Sequence, residues 1–481
     1  MYNKSIKLNA ILSIIKQACS IIFPLITFHY ISTILGSDTF GKYNFSNSIV
    51  SYFSLIASLG IVNYAVREGA MLRSNPEALN QFSNQVFSIN IVTTIIAYII
   101  LFIMLAVTPK LHSYKVLILI QSIVIIFTTI GADWINTIHE DYLYISVRYI
   151  IFQIISLILL FLFVKDEGDY LKYAAIVMLS SVGANILNTF YIRKYVKVKF
   201  TFNMKIRNHI LPMILLFCNS LAVTIYVNSD ITLLGIMQDD KTVGVYSVAV
   251  KVYTVVKQLL NAFIMVTIPR LSLYTANKLW NEYNSLLDKV FKVCLTLILP
   301  AIVGLFMLSK SVVLIIAGPD YTNADASLKI LSIALGFSVL SCFFTNSILL
   351  PNRKEKYFLK ATLLAGIANL LLNFIAIPLL SLNGAALTTV FSELIVLGIA
   401  MYYSRGDYNF KNLKGVIIPS LIGCVFIIIT CWTIQYLLED SINIIFISMS
   451  IAIIGYGIIQ VLFKNEIVTD ILYSVKRVIK K

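Results

Sequence analysis

Three lysines lie within runs of apolar residues that are too long for the core of a soluble domain. Lys16, Lys251 and Lys257 each interrupt such a run. An ionisable side chain inside a bilayer is costly and usually marks a functional site. Three cations placed in this way predict a water-filled cavity that receives an anionic ligand.

The composition is typical of a protein that crosses a membrane many times. Of the 481 residues, 59% are hydrophobic and 13% are charged, against about 45–50% and 25% in soluble domains. A spanning helix needs about 20 apolar residues, and about fourteen runs meet that length. The chain is therefore predicted to be an all-α polytopic membrane protein. The predicted spans are 9–31, 44–66, 85–107, 114–137, 142–164, 171–192, 210–236, 242–269, 289–308, 327–350, 358–378, 382–403, 414–437 and 442–463.

The formal net charge of +15 follows membrane topology, and we predict no nucleic-acid partner. Lysine and arginine alternate between rich and poor connections, and the rich ones include residues 193–209 and the C-terminal tail. Basic connections stay in the cytoplasm, so both termini are predicted to be cytoplasmic, with anionic membrane lipids as contacts. The first apolar run lacks a small-residue cleavage site, which predicts that no signal peptide is removed.

A weak internal repeat appears at an offset of about 203 residues. Gly41 and Tyr43 correspond to Gly244 and Tyr246, and Arg67 corresponds to Arg270. The repeat predicts two six-helix lobes of the same topology, a parallel repeat. We place the N-terminal lobe at 1–195, a basic cytoplasmic linker at 196–209 and the C-terminal lobe at 210–403. Residues 404–481 then add two further spans and a cytoplasmic tail.

Residues 24–73 contain the pieces of a family signature. They are the turn Leu35–Tyr43, a following span rich in Ser and Asn, and the closing stretch Leu59–Arg73. These pieces resemble the N-terminal signature of bacterial polysaccharide flippases. That family comprises the Wzx-type O-antigen and capsule repeat-unit transporters of the multidrug/oligosaccharidyl-lipid/polysaccharide exporter superfamily. The span count, the repeat and the basic linker extend the resemblance over the whole chain.

The resemblance implies two lobes in an inverted V within the bacterial cytoplasmic (inner) membrane. It implies a cargo, an undecaprenyl-diphosphate-linked oligosaccharide, that is moved from the cytoplasmic to the outer leaflet by alternating access. It also implies the polymerase and chain-length proteins of the same pathway as partners, and a coupling cation.

The predicted eighth span carries a wide polar arc at 100° per residue. Because a polar arc does not face lipid, we predict that Lys251 and Lys257 form a cationic wall for the diphosphate. The alternative is that one lysine snorkels, or pairs structurally with Asp230 or Glu393. The arc consists of Tyr246, Lys251, Tyr253, Thr254, Lys257, Gln258 and Asn261.

Three further cations are candidate cargo ligands. Lys16 shares one side of the first span with other polar residues. Arg67 and Arg270 lie at the predicted cytoplasmic ends of spans two and eight, and guanidinium groups bind phosphates bidentately. The alternative for the arginines is ordinary positive-inside anchoring, or a contact between Arg67 and its neighbour Glu68.

A second polar cluster is a candidate for ion coupling. Asp230, Asn373 and Thr389 are predicted to lie at similar depth, and Asn369 shares a helix face with Asn373. Carboxylate, amide and hydroxyl oxygens suit Na⁺ or H⁺ as the coupling ion. The alternative is hydrogen bonding that holds neighbouring helices together.

No nucleotide-binding loop, His/Cys metal cluster or nucleophile elbow is present in the sequence, so no cofactor, metal site or enzymatic activity is predicted. The six cysteines lack ligand spacing and are predicted to be free thiols. Two alternatives stay open. One is a membrane polysaccharide polymerase or glycosyltransferase, although the outward loops are short for such enzymes. The other is a cation-coupled drug exporter of the same fold, although such cavities are usually acidic and aromatic.

Overall fold

The structure is a computed structural model that describes residues 6–410 and 412–469, with the backbone alone at residues 6–14, 17, 21, 25, 215 and 219. These ranges are helical and contain no strand. Their α-helices are α1 Ile6–Ser58, α2 Ile61–Leu72, α3 Pro76–Val107, α4 Lys115–Gly131, α5 Trp134–Ile138, α6 Tyr142–Phe163, α7 Tyr170–Tyr191, α8 Ile206–Met237, α9 Asp240–Ala276, α10 Trp280–Ala317, α11 Ala324–Phe343, α12 Glu355–Ser404, α13 Lys414–Leu437 and α14 Ser441–Leu462.

Twelve helical segments in the described residues are long and apolar enough to cross a membrane. The prediction of an all-α polytopic membrane protein is confirmed. Two of the segments contain helices of 53 and 50 residues, α1 and α12. At 1.5 Å per residue they would be about 80 Å and 75 Å long, far above the roughly 30 Å of a bilayer core.

Both long helices are broken where the sequence predicts a connection. The backbone leaves helical geometry at Gly36, with φ 68°, and at Ser381, with φ 52°. Gly384 lies beside the second break, and a Cβ there would lie 2.2 Å from the Ala376 carbonyl oxygen. α12 thus holds two of the predicted spans, and α1 holds the first and most of the second. The total of fourteen stays a prediction that these breaks support.

Two predicted spans differ from the structure. Span two was expected to be continuous over 44–66, but α1 ends at Ser58 and α2 begins at Ile61. Gly60 makes this turn with φ 70°, where a Cβ would lie 2.7 Å from the carbonyl oxygen of Met213. Span four was expected over 114–137, but α4 ends at Gly131 and Ala132 adopts a left-handed conformation. Because apolar residues lie on both sides of each break, the hydropathy pattern predicts one continuous span.

The described chain falls into two compact units. The first comprises Met1–Gly235 with Asp239–Gly244, and the second comprises Ile236–Gln238 with Val245–Lys481. Compactness therefore groups α8 with the helices that precede it. The predicted linker at 196–209 separates two sequence repeats. A division into compact units does not test that boundary, so it stays a prediction.

Each unit has its own apolar core. In the first unit, Ile61, Phe82 and Trp134 bring α2, α3 and α5 together. In the second unit, Leu308 of α10 packs against Cys431 of α13 and side chains of α14. The two C-terminal helices are thus packed on α10. All six cysteines are free, as predicted.

Two glycines of the sequence repeat meet within the first unit. A Cβ on Gly41 would lie 1.7 Å from the Asp240 carbonyl oxygen, and a Cβ on Gly244 would lie 1.9 Å from the Ser37 carbonyl oxygen. Asp240 also accepts a hydrogen bond of 2.6 Å from the Tyr114 hydroxyl. The start of α9 is therefore packed backbone to backbone against α1, which only glycine permits.

α9 begins at a capped end. The Asp239 carboxylate accepts a hydrogen bond of 2.8 Å from the backbone N–H of Thr242. Hydrogen bonds from the side chain and backbone of Thr242 hold the pKa of the Asp239 carboxyl below its ordinary value. Capping of this kind stabilises a helix by about 1 kcal/mol.

We expect Glu439 to face the cell exterior and Lys197 to face the cytoplasm, because basic connections stay inside. Both side chains are exposed in the structure. A cysteine at position 439 should react with a membrane-impermeant maleimide added to intact cells, and one at position 197 should react only after permeabilisation. The parent chain reports the background of the native cysteines. Labelling of position 197 in intact cells would overturn the predicted orientation.

Candidate functional site

Lys257 forms an ion pair inside the second unit. Its Nζ lies 2.8 Å from Oε1 of Glu393 on α12. The Tyr253 hydroxyl donates to the same carboxylate oxygen over 2.9 Å, and Lys257 Nζ also lies 3.4 Å from that hydroxyl. The alternative of a structural pair with Glu393 is therefore what the structure contains. Pairing does not test whether Lys257 also binds a cargo.

Lys251 has a different environment on the same helix. Its side chain is half-buried, and none of the residues in the described ranges forms a hydrogen bond or ion pair with it. Lys251 and Lys257 are separated by about 9 Å along the helix axis, at 1.5 Å per residue. The unit thus contains one neutralised and one unneutralised ammonium group on α9.

The predicted polar and apolar faces of α9 do not differ clearly in burial. Tyr246 and Tyr253 of the polar arc are buried, but so are Val248 and Val252 of the opposite face. Farther along the helix, Leu259 is exposed. Residues 243–249 are therefore buried on all sides, and exposed apolar side chains begin after Lys257.

The other predicted cargo ligands make different contacts. Lys16 places Nζ 5.7 Å from the ring centroid of Tyr149, a cation–π contact within the first unit. Arg67 donates to its neighbour Glu68 over 3.0 Å, which is the contact that the sequence offered as an alternative. Arg270 donates from Nε to the Tyr274 hydroxyl over 2.8 Å. Both arginines are exposed.

The predicted ion ligands belong to different units. Asp230 of α8 is buried in the first unit. On either side of it, Asn228 donates to Ser51 over 3.0 Å and Thr232 donates to Ser48 over 2.9 Å. Polar side chains thus hold α8 against α1.

Asn369 and Asn373 lie in the second unit within a hydrogen-bonded cluster. Asn373 donates to Asn369 Oδ1 over 3.1 Å, and Thr388 donates to Asn373 Oδ1 over 2.6 Å. Thr389 donates to the Ala385 carbonyl over 3.1 Å. Thr388, the neighbour of the predicted Thr389, therefore contacts these amides.

The sequence did not single out Arg148 of α6, which is buried at 6% exposure. Its NH2 donates to Asp133 Oδ1 over 2.7 Å, and its guanidinium lies 5.1 Å from the Tyr144 ring centroid. Asn188 donates to the Gly131 carbonyl over 2.6 Å in the same region. Arg148 and Asn188 thus contact polar groups at the broken end of α4. The missed signal is an arginine two turns inside a predicted span.

In the described part of the chain, no group of three or more His, Cys, Asp or Glu side chains could hold a metal ion.

Comparison with known proteins places the chain in a family. A family model described as "Polysaccharide biosynthesis protein" matches residues 6–275, which is more than half of the chain. The chain belongs to this family.

Curated relatives and a solved structure agree with this membership. An Escherichia coli (strain K12) protein whose name describes an O-antigen transporter is 24% identical over 84% of this chain and 97% of its own length. The Staphylococcus aureus capsular polysaccharide biosynthesis protein CapF is 24% identical over 76% of this chain and 90% of its own length. A structure of the lipid II flippase MurJ, in an inward closed conformation, covers 95% of this chain and 100% of its own chain. Its TM-score is 0.77 at 18% identity, which shows a shared fold.

Proposed function

We propose that this member of the polysaccharide biosynthesis protein family moves a lipid-linked oligosaccharide across the membrane. The chain is a transporter rather than an enzyme. The cargo that we propose is an undecaprenyl-diphosphate-linked repeat unit, carried from the cytoplasmic to the outer leaflet of the bacterial cytoplasmic membrane by alternating access. The polymerase and chain-length proteins of the same pathway are its proposed partners.

The environment of Lys251 is the observation that carries this proposal. A half-buried ammonium in an apolar helix, with no counter-ion among the described residues, is costly in a membrane unless an anion approaches. A diphosphate supplies that charge and accepts several hydrogen bonds from an ammonium group. Lys257 follows on the same helix, so the two lysines can engage successive parts of one diphosphate. Lys16, Arg67 and Arg270 are proposed as secondary cationic contacts.

The same cations argue against the two alternatives. A drug exporter for organic cations requires an acidic or aromatic lining, whereas Lys251 would repel such cargo. A polymerase or glycosyltransferase would bind the same lipid, but the full-length similarity to a protein named as a transporter favours transport.

The direct test is reconstitution of the protein in vesicles that contain a lipid-linked diphosphate oligosaccharide. A lectin added outside should detect the glycan at a rate that increases with the amount of protein. Protein-free vesicles give the background rate. Vesicles that do not exceed this rate, but expel an organic cation dye, would identify a drug exporter instead.

We also propose that Na⁺ or H⁺ drives transport through Asp230 of the first unit, and that Asn369, Asn373 and Thr389 of the second unit contribute to the coupling. Asp230 is a buried carboxylate in α8, and a cation can bias a transporter only if it binds one state more tightly than another. An imposed Na⁺ or H⁺ gradient should accelerate the parent and leave Asp230→Asn unaffected. The thermal stability of both proteins serves as the control. A parent that ignores both gradients would contradict cation coupling and leave passive transport.

A further inference from the structure

The ion pair between α9 and α12 is asymmetric. The Glu393 side chain is 4% exposed, whereas the Lys257 side chain is 26% exposed. Both lie in the second unit. The carboxylate is therefore enclosed by protein, whereas part of the Lys257 side chain stays accessible.

The ammonium group has a donor to spare. Of its three N–H groups, one serves Glu393 over 2.8 Å and a second lies near the Tyr253 hydroxyl. Asn261 is one helical turn farther along, and its Oδ1 is buried without a donor among the described residues. A donor of Lys257 and an acceptor of Asn261 on the same stretch of α9 thus have no partner among the described residues.

We propose that Glu393 is an internal counter-ion that competes with the diphosphate of the cargo for Lys257. The proposal rests on the proposed function and adds a residue that sets cargo affinity. A diphosphate that approaches Lys257 also approaches the Glu393 carboxylate, so it must overcome like-charge repulsion and weaken the existing pair.

This competition has a consequence for transport. Separating Lys257 from Glu393 leaves a carboxylate without its cation in a low-dielectric interior, which is strongly unfavourable. Glu393 therefore opposes permanent capture of the diphosphate, and the re-formed ion pair favours cargo release. The Tyr253 hydroxyl stabilises the carboxylate by donating to the same oxygen. This hydrogen bond weakens the attraction between Glu393 and Lys257.

Binding of farnesyl diphosphate to the full chain in lipid nanodiscs, measured by calorimetry, tests the competition. Glu393→Gln keeps the shape but removes the competing charge, and should tighten binding at least about tenfold, because charge-assisted hydrogen bonds exceed that factor. Tyr253→Phe removes a donor to the carboxylate and should weaken binding. Lys257→Gln should abolish the effect of Glu393→Gln in the double variant.

A matched control is available in the same unit. Glu466 pairs with Lys292 over 2.7 Å, so Glu466→Gln removes a carboxylate from another lysine pair and should leave the affinity unchanged. If Glu393→Gln fails to insert, Glu393→Asp retracts the carboxylate by one methylene and should also tighten binding.

The outcomes separate the two proposals. Equal affinities of the parent and Glu393→Gln, with vesicle transport intact, would overturn the competition alone. A parent that binds no farnesyl diphosphate and transports no lipid-linked glycan would overturn both. Tightening of similar size in the Lys257→Gln background would show that Glu393 acts through general electrostatics and would overturn the competition for Lys257.

Discussion

Replacing Lys251 by Gln should reduce transport of the lipid-linked cargo by about 10–100-fold and leave the stability of the protein unchanged or higher. The loss corresponds to one charge-assisted hydrogen bond to the diphosphate, about 1.5–3 kcal/mol. Stability is preserved because no described residue is paired with Lys251, so its removal strands no buried carboxylate. The measurements are initial transport rates in vesicles and thermal unfolding in detergent.

Lys257 provides the contrast that makes this result interpretable. Lys257→Gln leaves Glu393 without its cation, and removal of one partner from a buried pair costs about 3–5 kcal/mol. Reduced transport in that variant would therefore mix loss of binding with loss of folding. Lys257→Arg should be milder than Lys257→Glu, since it keeps the charge. Lys251→Gln protein that transports at the parent rate would remove Lys251 from the mechanism.

The sequence predicts the helical class and most of the helices because a bilayer imposes a length and a polarity on each span. The cost of a charge in such a span also identified Lys251 and Lys257. The pairing of Lys257 with Glu393 was only one of several alternatives, beside snorkelling or a pair with Asp230, because Glu393 lies 136 residues away. Only packing of α12 against α9 decides which carboxylate meets which cation.

The parts that sequence patterns missed are local breaks within apolar stretches. Gly60 and Ala132 interrupt predicted spans through their backbone conformations, to which hydropathy is insensitive. Arg148 was missed for a related reason. An arginine near a span end is usually a topological signal, whereas here it neutralises Asp133 beside the broken end of α4.

A side chain at Gly244 should destabilise the protein more than one at any open glycine of the same chain. A Cβ at Gly244 would lie 1.9 Å from the Ser37 carbonyl oxygen, and one at Gly41 would lie 1.7 Å from that of Asp240. Both obstacles are helix backbone, which cannot rotate away as a side chain can. We expect Gly244→Ala and Gly41→Ala each to cost about 3 kcal/mol, at the upper end for overpacking.

Gly398 and Gly457 provide matched controls, because a Cβ at either position meets nothing within 4 Å. Alanine there should be neutral or stabilise its helix by about 0.5–1 kcal/mol. Each contact glycine faces the carbonyl oxygen of the residue four positions before the other glycine, so the double variant should cost less than the sum of the single variants. Thermal unfolding of the purified variants measures both effects.

If Gly244→Ala unfolds at the same temperature as Gly398→Ala, the close backbone contact does not exist in the folded protein. If the effects of Gly41→Ala and Gly244→Ala are fully additive, the two glycines do not share one contact.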